Sequence, residues 1–171
     1  MSELSRYIRD IPDFPKPGIL FRDITTLLQN PTAFAGSIEA LAAPYRDRQI
    51  DLIAGIESRG FIFGAALAHL LNLGFIPIRK PGKLPAEKMK EEYALEYGTD
   101  AVEVHRDAVK PGQKVLMVDD LLATGGTMAA SCSLIERIGG AVVGVAFLIE
   151  LTFLNGRERL KGREIHSVIR Y

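Results

Sequence analysis

The chain has no tryptophan, one cysteine and no net charge, with 21 Lys and Arg balancing 21 Asp and Glu. A single cysteine excludes an intrachain disulfide. Cys132 falls in an amphipathic helical pattern, where a buried structural thiol is expected rather than a nucleophile. Balanced charge argues against nucleic-acid or membrane binding driven by bulk electrostatics. No uninterrupted apolar run is long enough to span a bilayer, and no lysine-led apolar leader precedes the first motif. A cytoplasmic protein is therefore expected. His69, His105 and His166 have no metal-ligand spacing and read as structural. Neither a GxxxxGK[ST] loop nor a helix-opening GxGxxG occurs, which removes the common triphosphate and dinucleotide sites.

At 171 residues, with 47% hydrophobic and 25% charged residues, the chain has the composition of one ordinary globular domain, 1–171. Its apolar pattern alternates between short buried runs and helical spacings. Strands are expected over 51–56, 75–79, 114–119, 141–149 and 164–169, and helices over 2–11, 31–45, 60–73 and 125–138. Strands alternating with helices predict an α/β fold with a mostly parallel twisted sheet flanked by helices. Residues 80–92 carry four lysines, two prolines and little apolar content, and read as a long mobile loop leading into a hairpin.

Chemistry concentrates in VLMVDDLLATGGT, residues 115–127. An apolar strand delivers Asp119 and Asp120, and Ala123, Thr124, Gly125, Gly126 and Thr127 then turn into a helix. Backbone N–H groups at a helix start favour a phosphate, glycines let it come close, and threonine hydroxyls add donors. Ionised carboxylates suit sugar hydroxyls or a hydrated hard cation. A second turn, Glu57-Ser58-Arg59-Gly60, follows the strand ending at Ile56 and offers a guanidinium fork for phosphate oxygens. In a parallel sheet both turns lie at strand carboxyl ends, so they share one cleft.

DDLLATGGT, ESRGF and FPKPGILFRDIT together resemble the type I phosphoribosyltransferase family, over roughly residues 5–155. The resemblance implies that family's fold, with a small N-terminal hood within residues 1–30 and a flap over 79–104. It implies purine salvage: transfer of the phosphoribosyl group of phosphoribosyl pyrophosphate to adenine, giving AMP and pyrophosphate. Ala123 to Thr127 would fix the 5′-phosphate, and Ser58, Arg59 and Gly60 the diphosphate. Asp119 and Asp120 would orient the ribose and hold Mg2+ through water. Leu20 and Arg22 would offer backbone hydrogen bonds to the base, with Phe21 and Leu121 on its two faces. Arg79, Lys80 and Lys83 would meet pyrophosphate, and Glu96 and Tyr97 would cover the reacting sugar, Glu96 handling the purine proton. A homodimer is implied as well. The sugar-phosphate motif does not itself separate adenine from 6-oxopurines or orotate. A DNA-reading regulator lacks a basic stripe here, and a synthase using ATP lacks a second phosphate motif. Gly125→Val is expected to abolish phosphate binding with the fold largely intact.

Overall fold

The computed structural model describes residues 3–94 and 98–171. A 3-10 turn over Glu3–Tyr7 leads into β1 (Arg9–Ile11), which pairs antiparallel with β2 (Phe21–Asp23). Helices α1 (Thr25–Gln29) and α2 (Pro31–Ala42) follow. Then come β3 (Leu52–Ile56), α3 (Gly60–Leu71), β4 (Gly74–Ile78), the antiparallel hairpin β5 (Lys88–Ala94) and β6 (Thr99–His105), β7 (Lys114–Leu122), α4 (Gly126–Arg137), β8 (Ala141–Glu150) and β9 (Ile165–Arg170).

Five strands form one parallel sheet in the order β4-β3-β7-β8-β9. Side chains alternate across it and build two cores. Leu116 and Val118 of β7 pack with α2 and α3, whereas Val115 and Met117 pack with α4 and the hairpin. All four are fully buried, so cutting Leu116 to Ala would cost about 2–5 kcal/mol. Local sequence starts and stops the helices. Asn30 caps α2 by accepting the Ala33 N–H at 2.9 Å, with Pro31 at the first helical position. Asn72 closes α3 in a left-handed conformation.

The chain order fixes where a ligand can sit. From β3 the chain winds outward to β4, and from β7 it winds the opposite way to β8 and β9. The carboxyl ends of β3 and β7 therefore flank the switch point. Pairing of β3 with β7 stops at Gly55 and Val118, while β7 runs on beside β8 to Leu122. The continuation carries Asp119 and Asp120 past the point where β3 lets go.

Three expectations change, and one helix was not expected. The N-terminal helix over 2–11 is, in its described part, a 3-10 turn followed by a strand, because Arg9 is drawn to Asp23 across the β1–β2 pair at 2.5 Å. Helix α1, unmarked by apolar spacing, starts where Asp23 accepts the Thr25 N–H at 2.9 Å. The expected loop over 80–92 ends early, because β5 begins at Lys88. Its inward positions are Met89, Glu91 and Tyr93, and Glu91 is held by Arg137 of α4. An inward acid masks the strand alternation. Strand β7 extends beyond Asp119 to Leu122, because β8 continues to pair with it.

Candidate active site

A cleft of about 390 Å³ opens at the switch point, lined by Ser58, Arg59, Lys80, Asp119, Asp120, Leu121 and Thr127 among others. A smaller pocket of about 80 Å³ adjoins it and is formed by the turn 123–127, with Asp119, Leu121 and Thr127 shared between the two. Seven of the residues expected in the site thus meet in one cleft, and the Gly-Thr turn lies beside them.

The turn after β3 is built from charge. Its Glu57 N–H donates to the Ile78 carbonyl at 2.8 Å, tying it to β4. The Glu57 carboxylate accepts Lys83 Nζ at 2.5 Å, the Lys80 backbone N–H at 2.9 Å and Arg79 Nε at 3.3 Å. Burial pushes its pKa up, but the Lys83, Lys80 and Arg79 contacts outweigh this and hold it at about 2. Arg79 also donates to the Lys83 carbonyl at 3.1 Å. Arg59 donates from Nε to Asp120 Oδ2 at 2.6 Å. Its guanidinium lies 5.5 Å from the Phe21 ring centroid, which joins the hood to the cleft.

The acids of β7 occupy different environments. Asp120 is buried and paired with Arg59. Asp119 accepts the Asp120 backbone N–H at 2.9 Å. Burial first, and the neighbouring Asp120 charge second, hold the Asp119 carboxyl well above the usual carboxylate range. The space beside it exists because residue 60 is glycine. A Cβ there would stand 2.6 Å from Asp119 Oδ1 and 3.1 Å from its Cα. Among the described residues no group of three or more His, Cys, Asp or Glu could hold a metal alone. Two carboxylates beside an open polar cleft still fit Mg2+, which completes its shell with water and substrate oxygens.

The turn after β7 contains no charged side chain. Gly125 adopts φ +81°, and its Gly126 successor opens α4, so the first N–H groups of that helix lack helical acceptors. The turn rests on the chain beyond β8. A Cβ at Gly125 would stand 2.4 Å from the Gly156 carbonyl oxygen, and one at Gly156 would stand 2.2 Å from that of Ala123. Gly125→Val would therefore strain the turn and push away the 3-10 segment Gly156–Leu160, which corrects the expectation of an intact fold. Gly156 was not foreseen as part of the site, although its Asn155-Gly156 dipeptide is a turn signal in the sequence. Glu57 was assigned no role of its own in the second turn.

The hood residues do not line this cleft, although Phe21 meets it at Arg59, and they differ in exposure. Leu20 is 46% exposed, and Phe21 packs edge-to-face on Phe14 at 5.1 Å. The Arg22 guanidinium is committed to Asp10 and lies 3.7 Å over the Tyr171 ring, so its side chain is turned to the hood's own support. Lys80 sends its ammonium to Asp100 and Tyr93. Glu96 and Tyr97 lie outside the described residues.

The parallel sheet with its two turns meeting at the switch point is that of a phosphoribosyltransferase, as the match of the phosphoribosyl transferase domain model to residues 23–167 shows. The adenine phosphoribosyltransferase of Chloroflexus aurantiacus is 60% identical over 169 residues, covering 99% of this chain and 98% of that protein. The crystal structure of the Thermoanaerobacter pseudethanolicus enzyme superposes with a TM-score of 0.96 at 57% identity, covering 99% of this chain and 98% of that one. The Saccharomyces cerevisiae enzyme, solved with an imino-altritol bisphosphate and adenine, gives 0.92 at 40% identity, with 97% and 96% covered. The chain belongs to the adenine phosphoribosyltransferase family.

Proposed function

We infer that the protein transfers the 5-phosphoribosyl group of phosphoribosyl pyrophosphate to adenine, releasing AMP and pyrophosphate. The observation that carries this reading is the pairing of a charged turn and a charge-free glycine turn across one cleft, with two carboxylates between them. The N9–C1 bond forms as the C1–O bond breaks, and the electron pair leaves with the diphosphate. Positive charge builds on the ribose, as in glycoside chemistry, so no strong protein nucleophile is needed. Positioning and electrostatic stabilisation supply the rate.

The backbone of Ala123 to Thr127 holds the 5′-phosphate at the start of α4. Ser58, Arg59 and the turn at Gly60 take the diphosphate, with Arg79 and Lys83 beside them on Glu57. Asp119 and Asp120 orient the ribose hydroxyls and would hold Mg2+ through water. When bound, the cation neutralises diphosphate charge. Leu20, Phe21, Arg22 and Leu121 seat the purine, and Glu96 takes its proton, with Tyr97 covering the sugar. The same reading carries a homodimer and a cytoplasmic setting. Among the described residues no helix is long and apolar enough to cross a membrane.

An ultraviolet assay of adenine conversion to AMP, with and without magnesium and against a panel of bases, tests this function. Conversion that requires phosphoribosyl pyrophosphate and magnesium and prefers adenine is expected. A preference for hypoxanthine or guanine would overturn the base assignment. Sedimentation of the purified protein tests the dimer.

A further inference from the structure

Tyr93 stands outside every motif read from the sequence, yet three parts of the site meet at its hydroxyl. Its oxygen accepts Lys80 Nζ at 3.0 Å and Thr127 Oγ1 at 3.1 Å, and its proton goes to Asp100 Oδ2 at 2.9 Å. Lys80 also pairs directly with Asp100. Lys80 belongs to the segment after β4, Tyr93 and Asp100 to opposite strands of the hairpin, and Thr127 to the glycine turn. The ring itself packs on that turn, 3.4 Å from where a Cβ of Gly126 would be. Tyr93 is buried, so water does not readily replace these bonds.

We propose that Tyr93 is a positioning residue for the sugar-phosphate half of the substrate, acting through the Thr127 hydroxyl and held in place by Lys80 and Asp100. The inference rests on the reading of the glycine turn as the 5′-phosphate seat. Thr127 lines both the small pocket and the larger cleft, so its hydroxyl is placed to meet the phosphoribosyl group. Of that hydroxyl's rotor positions, the bond to Tyr93 selects one. With its proton given to Tyr93, the Thr127 oxygen keeps its lone pairs for a hydroxyl of the ribose, and fixing that acceptor before the ligand arrives lowers the ordering cost of binding. Lys80 and Asp100 together hold the phenol in place.

Tyr93→Phe keeps the ring against Gly126 and removes only the hydroxyl. It should raise KM for phosphoribosyl pyrophosphate about tenfold, the scale of one hydrogen bond in a charged network, and leave KM for adenine unchanged. The decisive comparison adds Tyr93→Phe to Thr127→Val. If Tyr93 acts through Thr127, the double variant matches Thr127→Val alone. Losses that multiply, or an unchanged KM in Tyr93→Phe, would overturn the proposal. Asp100→Asn reaches the same phenol from its other side and should move the same KM in the same direction. An unmoved KM there also counts against it. A wild-type protein that makes no AMP from adenine and phosphoribosyl pyrophosphate sinks the functional reading itself, whereas an active wild type with a silent Tyr93→Phe sinks only this inference.

Discussion

The two turns that flank the cleft are built by opposite means. The one after β3 uses side chains whose charges are already paired within the protein: Arg79 and Lys83 on Glu57, and Arg59 on Asp120. The one after β7 uses no charged side chain at all. It depends on a left-handed glycine, a helix start and the close backing of Gly156. Side-chain contacts of this kind tolerate rearrangement, because arginine and lysine can change partners. Backbone grip does not, since every donor is fixed by packing. Substitutions in the first turn should therefore change affinity with little effect on the fold, and substitutions behind the second should do both.

Asp120→Asn should have the largest effect. It removes the charge opposite Arg59 and one of the two carboxylates, and kcat/KM should fall by about 10²–10³. Unchanged kinetics at saturating magnesium would remove Asp120 from the chemistry. Gly156→Ala separates the turns. Its Cβ would overlap the Ala123 carbonyl, costing on the order of 1–3 kcal/mol of stability by overpacking and weakening AMP binding, while pyrophosphate binding stays near wild type. Calorimetry with both ligands checks this, and equal loss for the two would erase the distinction between the turns.

Asp119→Asn should act in two directions. The carboxyl is held above its ordinary pKa of 3.8, so ionising it in the folded chain costs stability that is lost as pH rises from about 4 through the raised folded value. The amide removes that cost. Thermal midpoints at pH 7 should rise while activity falls, and a lowered midpoint would show that burial does not oppose this charge. Glu57→Gln gives the smallest effect. With a pKa near 2 against an ordinary 4.5, Glu57 contributes stability that is complete above about pH 4.5 and lost as pH falls toward 2. The variant should flatten that part of an acid-unfolding curve, and an unaltered slope would show that the Arg79, Lys80 and Lys83 contacts do not stabilise the turn.

What could be read in the sequence follows the same division. Parallel strands announce themselves as continuous apolar runs, so β3, β7 and β8 and both turns beyond them were legible, as were Asp119, Asp120 and the residues from Ala123 to Thr127. Contacts between distant segments were not. No local pattern tells that Gly156 backs Gly125, that Glu57 gathers cations from beyond β4, or that Arg22 is held by Asp10 and Tyr171. The strand β5 was hidden because Glu91 points inward to Arg137, an ion pair standing where alternation leads one to expect an apolar residue. The N-terminal segment misled for a related reason. Its apolar spacing suits a helix, but the Arg9–Asp23 pair belongs to a strand ladder that only the folded chain assembles.

The most direct measurement is a crystal structure with phosphoribosyl pyrophosphate and magnesium bound. The account predicts the monophosphate within hydrogen-bonding reach of the backbone N–H groups of Thr124 to Thr127, and the diphosphate at Ser58 and Arg59. A monophosphate seated among the lysines beyond β4, with the glycine turn left empty, would contradict it.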